Sequence, residues 1–544
     1  MNRLIFLSFP FLFSIVIALL PNSPWFSYVD KFIMIVLAVV FLFFLVLTYK
    51  FQKTLSNSLS EFESFFNRYR VIFLISLFIL MLVFPFRNLD WGDGIILLET
   101  NLLETKLFGS QIAMDEILET VIHSFMFRFL SFIEFSNDNR YAYQLISYLS
   151  GAIFIALVGW RLNKNENKNS DLLAGFVFLS SSGFLIYFGY SENYSVVSLF
   201  FLVFIYFVRR WILVEKSNSF ILIGATLLVT LGIFFHLVSG FLVFALFYLW
   251  IEFSPKEKRI KYLLLCSAIG GSILLFGFGY LSFLHDPTLD RKSSHLLHPP
   301  IYPWKRLISI NHFLEIFSVL WYNSKIPVML LGYMFIFERK DLNSFFTKKE
   351  NRFVLSVSVS LLINGFIINP MLGFPADWDM IGFYWIPLAY LGYLLLLEYP
   401  QLKIFFVGLI LFSFISLIFQ AKELSKLEPK KEKEIHLIQN IVYKYVNENE
   451  STIQSFSKTE RKFYAKTDFF FFKSINITER MCEFAGKQNL KEDLKKLQVE
   501  FREGSHSSKL NDPNWIKMFL TKATITNTVY IKSLKEYNLC RLEP

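Results

Sequence analysis

The sequence predicts an all-α fold: a polytopic transmembrane helical bundle of about thirteen spans, followed by a small, mainly helical extramembrane domain. Three observations carry this reading. Of the 544 residues, 54% are hydrophobic and only 18% charged, with 66 Phe; a soluble domain carries more charge and fewer aromatic rings. Apolar runs of roughly 18 residues recur along the first 420 positions, each long enough to cross a ~30 Å hydrocarbon core. The basic residues gather in short loops between those runs, so the net charge of +10 implies no nucleic-acid partner.

In order, the candidate spans are 4–20, 32–49, 71–86, 143–160, 172–189, 194–208, 218–235, 237–253, 262–284, 324–338, 353–369, 381–397 and 404–420. The first is read as a retained span, since no small-x-small cleavage site follows it. Basic loops lie at 49–70, 161–168, 209–216, 256–261 and 338–352. With the spans counted by length alone, all five fall on one side, which the positive-inside rule makes the cytoplasm. The stretch 218–253 would reach ~54 Å as one helix, nearly twice the core thickness. Its basic flanks belong on the same side, so it must turn back near "FFHLVSG" (234–240). The apolar core of span 324–338 is too short to cross unless it borrows residues upstream, and it contains Pro327. This divides the chain into a membrane domain, 1–420, with long outer loops at 87–142 and 285–323, and a tail at 421–544.

The unusual polar motifs then share the outer side. "DWGDG" places Asp90 and Asp93 three apart, with Gly92 and Gly94 permitting a tight turn that presents both carboxylates in one direction. Such a pair can hold a divalent cation, or supply a general base whose pKa is raised by its neighbour. The plain alternative is a solvated loop capping the next helix. Downstream, Ile112, Met114, Ile117, Leu118, Val121 and Ile122 recur at helical spacing, opposite Asp115, Glu116, Glu119 and His123. That pattern predicts an amphipathic helix on the membrane surface, or a short helix buried under the loop.

In "GYSENYS", the following apolar run is so short that Glu192 must sit at or below the headgroups, where an ionisable group needs a cavity or a partner. His236 marks the tip of the 218–253 hairpin, as a ligand-binding or plain interfacial residue. Asp377 and Asp379 flank Trp378 in "GFPADWDM", two carboxylates beside a ring, suited to sugar or metal binding. Lys305 and Arg306 follow Trp304, a basic pair placed to hold a lipid phosphate. The histidines of the same loop (His285, His295, His298, His312) match no zinc spacing. The chain has no Walker loop, GxGxxG, CxxC or GxSxG pattern.

A multi-span chain with acidic residues and an amphipathic helix in a long first outer loop, carried here by "DWGDG", "MDEILETVIHSF" and "GYSENYS", resembles the C-type integral-membrane glycosyltransferases that use polyprenyl-phosphate sugars. The likeness covers roughly residues 60–420. Where that family often has adjacent acids in the first loop, this chain has Asp-x-x-Asp. The resemblance implies a bacterial inner-membrane enzyme with membrane lipid around it and a polyprenyl-phosphate sugar as donor. A first-loop carboxylate would deprotonate the acceptor hydroxyl, with Asp93 the first candidate and Asp90 the second. Glu192, His236, Asp377, Trp378 and Asp379 would shape the sugar or metal site. Lys305 and Arg306 would neutralise the leaving phosphate. Some members use a divalent metal such as magnesium or manganese, which Asp90 and Asp93 could hold.

Two other readings stay open. A transporter or lipid flippase would need polar groups deep in the helices and broken spans. A polysaccharide polymerase or ligase would lean on a large basic outer loop, which 285–323 resembles. The odd span count places the lysine-rich tail outside the cytoplasm.

Overall fold

The computed structural model describes residues 2–19, 31–87, 116–135, 139–162, 171–284, 301–369 and 378–426. The tail from 427 onward, and with it Cys482 and Cys540, which could pair as a disulfide or stay free thiols, lies outside the described residues. The chain is an all-α, multi-pass membrane protein, with no β-strand among the described residues. Six helices are long and apolar enough to cross a membrane, or seven if one bent pair counts as a single span. The expected count of thirteen rests in addition on shorter and broken segments.

The helices are α1 (Asn2–Leu19), α2 (Lys31–Lys50), α3 (Gln52–Arg68), α4 (Arg70–Val83), α5 (Ile117–Phe132), α6 (Asn139–Ala156), α7 (Leu172–Leu179), α8 (Ser195–Leu213), α9 (Asn218–Phe235) and α10 (Val243–Phe253). They continue with α11 (Arg259–Leu284), α12 (Ile310–Phe337), α13 (Arg339–Phe345), α14 (Lys349–Ile367), α15 (Trp385–Glu398) and α16 (Lys403–Leu424). Residues 1–92, 140–277 and 303–426 form one compact unit, and the remainder a second.

In the first unit the basic loops meet directly. Arg3 pairs with Glu338 at 2.8 Å, Lys348 with Glu398 at 2.7 Å, and Lys349 and Arg352 with Glu252 at 3.2 and 3.4 Å. Lys403 pairs with Glu63 at 3.0 Å and with Asp171. The exposed pairs contribute ~0–1 kcal/mol each. Lys403 is buried and Asp171 partly so, and removing one partner of a buried pair costs up to about 3–5 kcal/mol. These contacts set one end of the unit, the basic end. Between lipid-facing helices apolar burial gains little, so close packing carries the bundle. Phe11 meets Phe412 edge-on at 5.3 Å and stacks near Phe41 at 6.5 Å, tying α1, α2 and α16.

The structure revises four expectations. The stretch 49–70 is helical rather than a loop: amphipathic α3 meets α4 at a 73° bend. The stretch 172–189 is not one helix but α7 followed by a 3-10 segment, Ser182–Tyr187. The cause is a serine run: Ser180 Oγ donates to Phe176 O at 2.5 Å, and Ser181 Oγ accepts from Gly183 N at 3.1 Å, offering the backbone partners outside the α pattern. The weak span does borrow upstream, becoming α12, but it is kinked at Ser324, three residues before Pro327. Proline has no N–H for the Asn323 carbonyl four residues earlier. Ser181 Oγ donates to that carbonyl instead, at 2.5 Å, so the breaks in two helices satisfy each other.

The fourth revision lies in the second unit. In its described part the expected surface helix runs from Ile117, and its polar residues Glu116, Glu119 and His123, which the surface reading places in water, are buried while Phe125, Phe129 and Phe132 are exposed. The exposed phenylalanine face is the one a lipid surface would cover, while the polar face meets protein.

Candidate functional site

Opposite the basic end, several segments converge. Gly189 has φ +76°, a left-handed turn that favours glycine, and an added Cβ would lie 2.5 Å from the Tyr148 hydroxyl. Ser147 holds this turn: its hydroxyl donates to Ile186 O at 2.8 Å and accepts from Gly189 N and Tyr190 N at 3.0 and 3.2 Å. Tyr190 is thereby aimed across the bundle, where its hydroxyl donates to Asp379 Oδ2 at 2.8 Å. Met380 N donates to Asp379 Oδ1, also at 2.8 Å. The "GYSENYS" and "DWDM" motifs, nearly two hundred positions apart, thus meet through Tyr190 and Asp379.

Aromatic rings frame it. Trp378 lies 6.5 Å from Tyr190 and 5.7 Å from Tyr322, whose hydroxyl donates to Gln420 Oε1 at 3.0 Å. Tyr194 lies 5.5 Å from His236 and 5.6 Å from Phe383. His236 is extended at the hairpin turn, as the sequence led us to expect, and its Nδ1 accepts from Val238 N at 3.1 Å. Glu192 is 2% exposed and Asp379 4%. Carboxylates this deep are costly unless a cavity or partner receives them.

The segment carrying the first acidic pair leaves from this end. Phe86 N donates to Phe188 O at 2.6 Å, its ring lies 4.4 Å from Tyr190, and Arg87 N donates to Leu424 O at 3.0 Å. Asp90, Asp93 and Asp377 lie outside the described residues, as do His285, His295 and His298. Among the described residues no group of three or more His, Cys, Asp or Glu could hold a metal ion.

Arg306, expected to meet a phosphate, is already paired with Glu315 at 2.5 Å, while Lys305 beside it is exposed. His312 is buried, with its Nε2 2.8 Å from Phe366 O and its Nδ1 3.7 Å from Glu315. A cavity of about 420 Å³ lies at the basic end, lined by Arg3, Tyr49, Glu338 and Asp341 among others, away from these motifs.

Sequence reasoning missed Ser147 and Tyr190. The signal for Tyr190 was its place in a motif otherwise singled out for Glu192. Ser147 sits in an unremarkable apolar helix and left none.

No protein-family model matches this chain, and no curated protein does. Among solved structures, ArnT from Cupriavidus metallidurans in the apo state is similar, with a TM-score of 0.40 and 10% identity over 86% of this chain and 77% of that one. A superposition at that level does not establish a shared fold, and the functional reading stands on this chain's own residues.

Proposed function

We propose that this protein is an integral-membrane glycosyltransferase that moves a sugar from a polyprenyl-phosphate donor to an acceptor at the extracytoplasmic surface of a bacterial inner membrane. The observation that supports it best is the Tyr190–Asp379 contact. It joins two acidic, aromatic motifs with His236 at the end of the bundle opposite the ion-paired basic loops. A buried carboxylate beside Trp378 and Tyr190 suits a sugar ring, whose faces are apolar and whose edges are hydroxyls.

In this reading Asp93, or Asp90, takes the proton from the acceptor hydroxyl as it attacks the anomeric carbon. The bond to the phosphate oxygen breaks and polyprenyl phosphate leaves. Glu192, His236, Asp377, Trp378 and Asp379 shape the site. Lys305 is the better cation for the leaving phosphate, because Arg306 must first part from Glu315. A magnesium or manganese ion would belong between Asp90 and Asp93, where it would neutralise developing negative charge. The tail would lie outside the cytoplasm.

The test incubates purified protein with labelled polyprenyl-phosphate monosaccharides and follows loss of label from the lipid. Transfer should be abolished in Asp93→Asn while membrane insertion is unchanged. Full activity in that variant removes Asp93 as the base.

The breaks at Ser181 and Ser324 favour the transporter alternative more than the sequence did, since transport sites form at broken helices. Against it, the carboxylates gather at one end. Substrate flux across sealed vesicles without chemical change would decide for transport.

A further inference from the structure

Beneath the "DWDM" turn lies a second polar layer that the reading above does not use. Measured from the basic end at 1.5 Å per residue, Asn323 on α12, Asn364 on α14 and Tyr384 before α15 each stand ~21–23 Å up their segments. Three separate helices therefore bring them to one level, inside the membrane span.

The same turn touches two of them directly and packs beside the third. Asn364 Nδ2 donates to Met380 O at 3.3 Å. Asn323 Nδ2 lies 2.3 Å from where a Cβ on Gly382 would stand, so only glycine leaves room for that amide. An added Cβ on Gly365 would lie 2.5 Å from Ile381 O and 3.1 Å from the Tyr384 ring, which shows how tightly α14 approaches.

All are buried: Asn323 is 2% exposed, Ser324 1%, and Asn364 and Tyr384 0%. Yet among the described residues both amide atoms of Asn323 have no hydrogen-bond partner. Neither do Ser324 Oγ, Asn364 Oδ1 and the Tyr384 hydroxyl. Each buried orphan costs about 1–3 kcal/mol, so four residues in one layer are a standing expense that packing alone does not explain.

The chemistry of the orphans selects the occupant. A bare cation would engage oxygens and leave the Asn323 amide nitrogen unpaired. An anion would engage the nitrogen and leave its oxygen. A hydroxyl both donates and accepts, and vicinal hydroxyls match an amide edge whichever way the amide is turned. The neighbouring cation, Lys325, lies instead toward the Phe412 ring, 5.9 Å away.

We infer that Asn323, Asn364 and Tyr384, with Ser324, form a neutral subsite that holds the hydroxyls of an uncharged sugar ring and so set which sugar is accepted. That the hydroxyl-bearing group is a sugar rests on the glycosyl-transfer reading.

The test uses full-length protein in nanodiscs and a panel of uncharged methyl glycosides, with binding read by saturation-transfer NMR. One glycoside should give a signal that falls at least tenfold in Asn323→Leu and in Asn364→Leu. The melting temperature of Asn323→Leu should hold or rise, since a buried orphan has been removed, whereas Asn364→Leu also gives up the bond to Met380 O and should melt no higher than wild type. The milder Tyr384→Phe, which deletes one oxygen, should weaken binding severalfold and covers the case that a leucine variant fails to fold. Ser413→Ala, a buried hydroxyl on α16, should leave the signal unchanged.

No signal from any glycoside in the wild type, or an unchanged signal in Tyr384→Phe and a folded Asn323→Leu, overturns the inference and leaves ordered water as the occupant. The two readings fail separately. If glycoside binding depends on Asn323 but no polyprenyl-phosphate sugar loses its label, the subsite stands and the transferase reading falls. If transfer proceeds and its donor preference and KM are unchanged in Asn323→Leu, the transferase stands and the subsite falls.

Discussion

Both oxygens of Asp379 accept hydrogen bonds, one from the Tyr190 hydroxyl and one from Met380 N, each at 2.8 Å. Tyr190→Phe would strip one oxygen of its partner in a buried setting. We expect it to cost about 1–3 kcal/mol, read as a fall in the unfolding midpoint; an unchanged midpoint would mean that the bond contributes nothing net. Glu63 makes a different case, at the basic end. Burial, and then the neighbouring Asp171, push its carboxyl above the ordinary 4.5, against the pull of Lys403. Native Glu63 therefore keeps its proton to higher pH than the unfolded chain does. The associated stability is fully present below about pH 4.5 and is lost as pH rises through the raised value. Glu63→Gln should accordingly melt higher than wild type at pH 8, with the gap closing toward pH 4. A lower melt at pH 8 would show that the pairing with Lys403 outweighs burial. The identities of Glu192, His236 and Asp379 stood out in the sequence because each is a polar residue beside an apolar run. Asn323 and Asn364 did not, since an amide inside a span is common and its lack of a partner is invisible without neighbours.

At the scale of elements, the two broken helices are energetically one feature. Ser181→Ala leaves the Asn323 carbonyl without its donor and should cost about 1–3 kcal/mol. In a Pro327→Ala background position 327 regains an N–H, so the same serine change should cost much less. The double-mutant cycle should show a coupling of about 1 kcal/mol or more, measured by unfolding in mixed micelles. Strict additivity would refute the compensation. The hairpin 218–253 was legible because its length and basic flanks allow a single topology, and α9 ends at Phe235 beside the expected turn. The break in 172–189 was present in the sequence as Ser180, Ser181 and Ser182, but hydropathy sums over such residues and reads straight through. The burial of Glu119 and His123 was not legible, because an amphipathic pattern states that a helix has two faces and not which face meets protein.

Across the whole molecule, the first compact unit has two chemically distinct ends. One carries ion-paired basic loops, the other buried carboxylates among aromatic rings. If the basic end is cytoplasmic, a cysteine replacing Lys305 should react with an impermeant maleimide on intact cells. One replacing Lys340 should react only after lysis. Both belong in a background where Cys266, Cys482 and Cys540 are serine, and the opposite pattern would invert the orientation. The sequence by itself determined the membrane class and the positions of the long apolar spans, and it set the expectation that the polar motifs share one side. Hydropathy, length and loop charge are local quantities, and the bilayer thickness converts them into topology. Only the tertiary structure decided which of those motifs touch, because Tyr190 meets Asp379, and Ser181 meets Asn323, through helix packing that no local pattern encodes. It alone also showed which buried polar groups were left without partners, since satisfaction depends on three-dimensional neighbours and not on residue type.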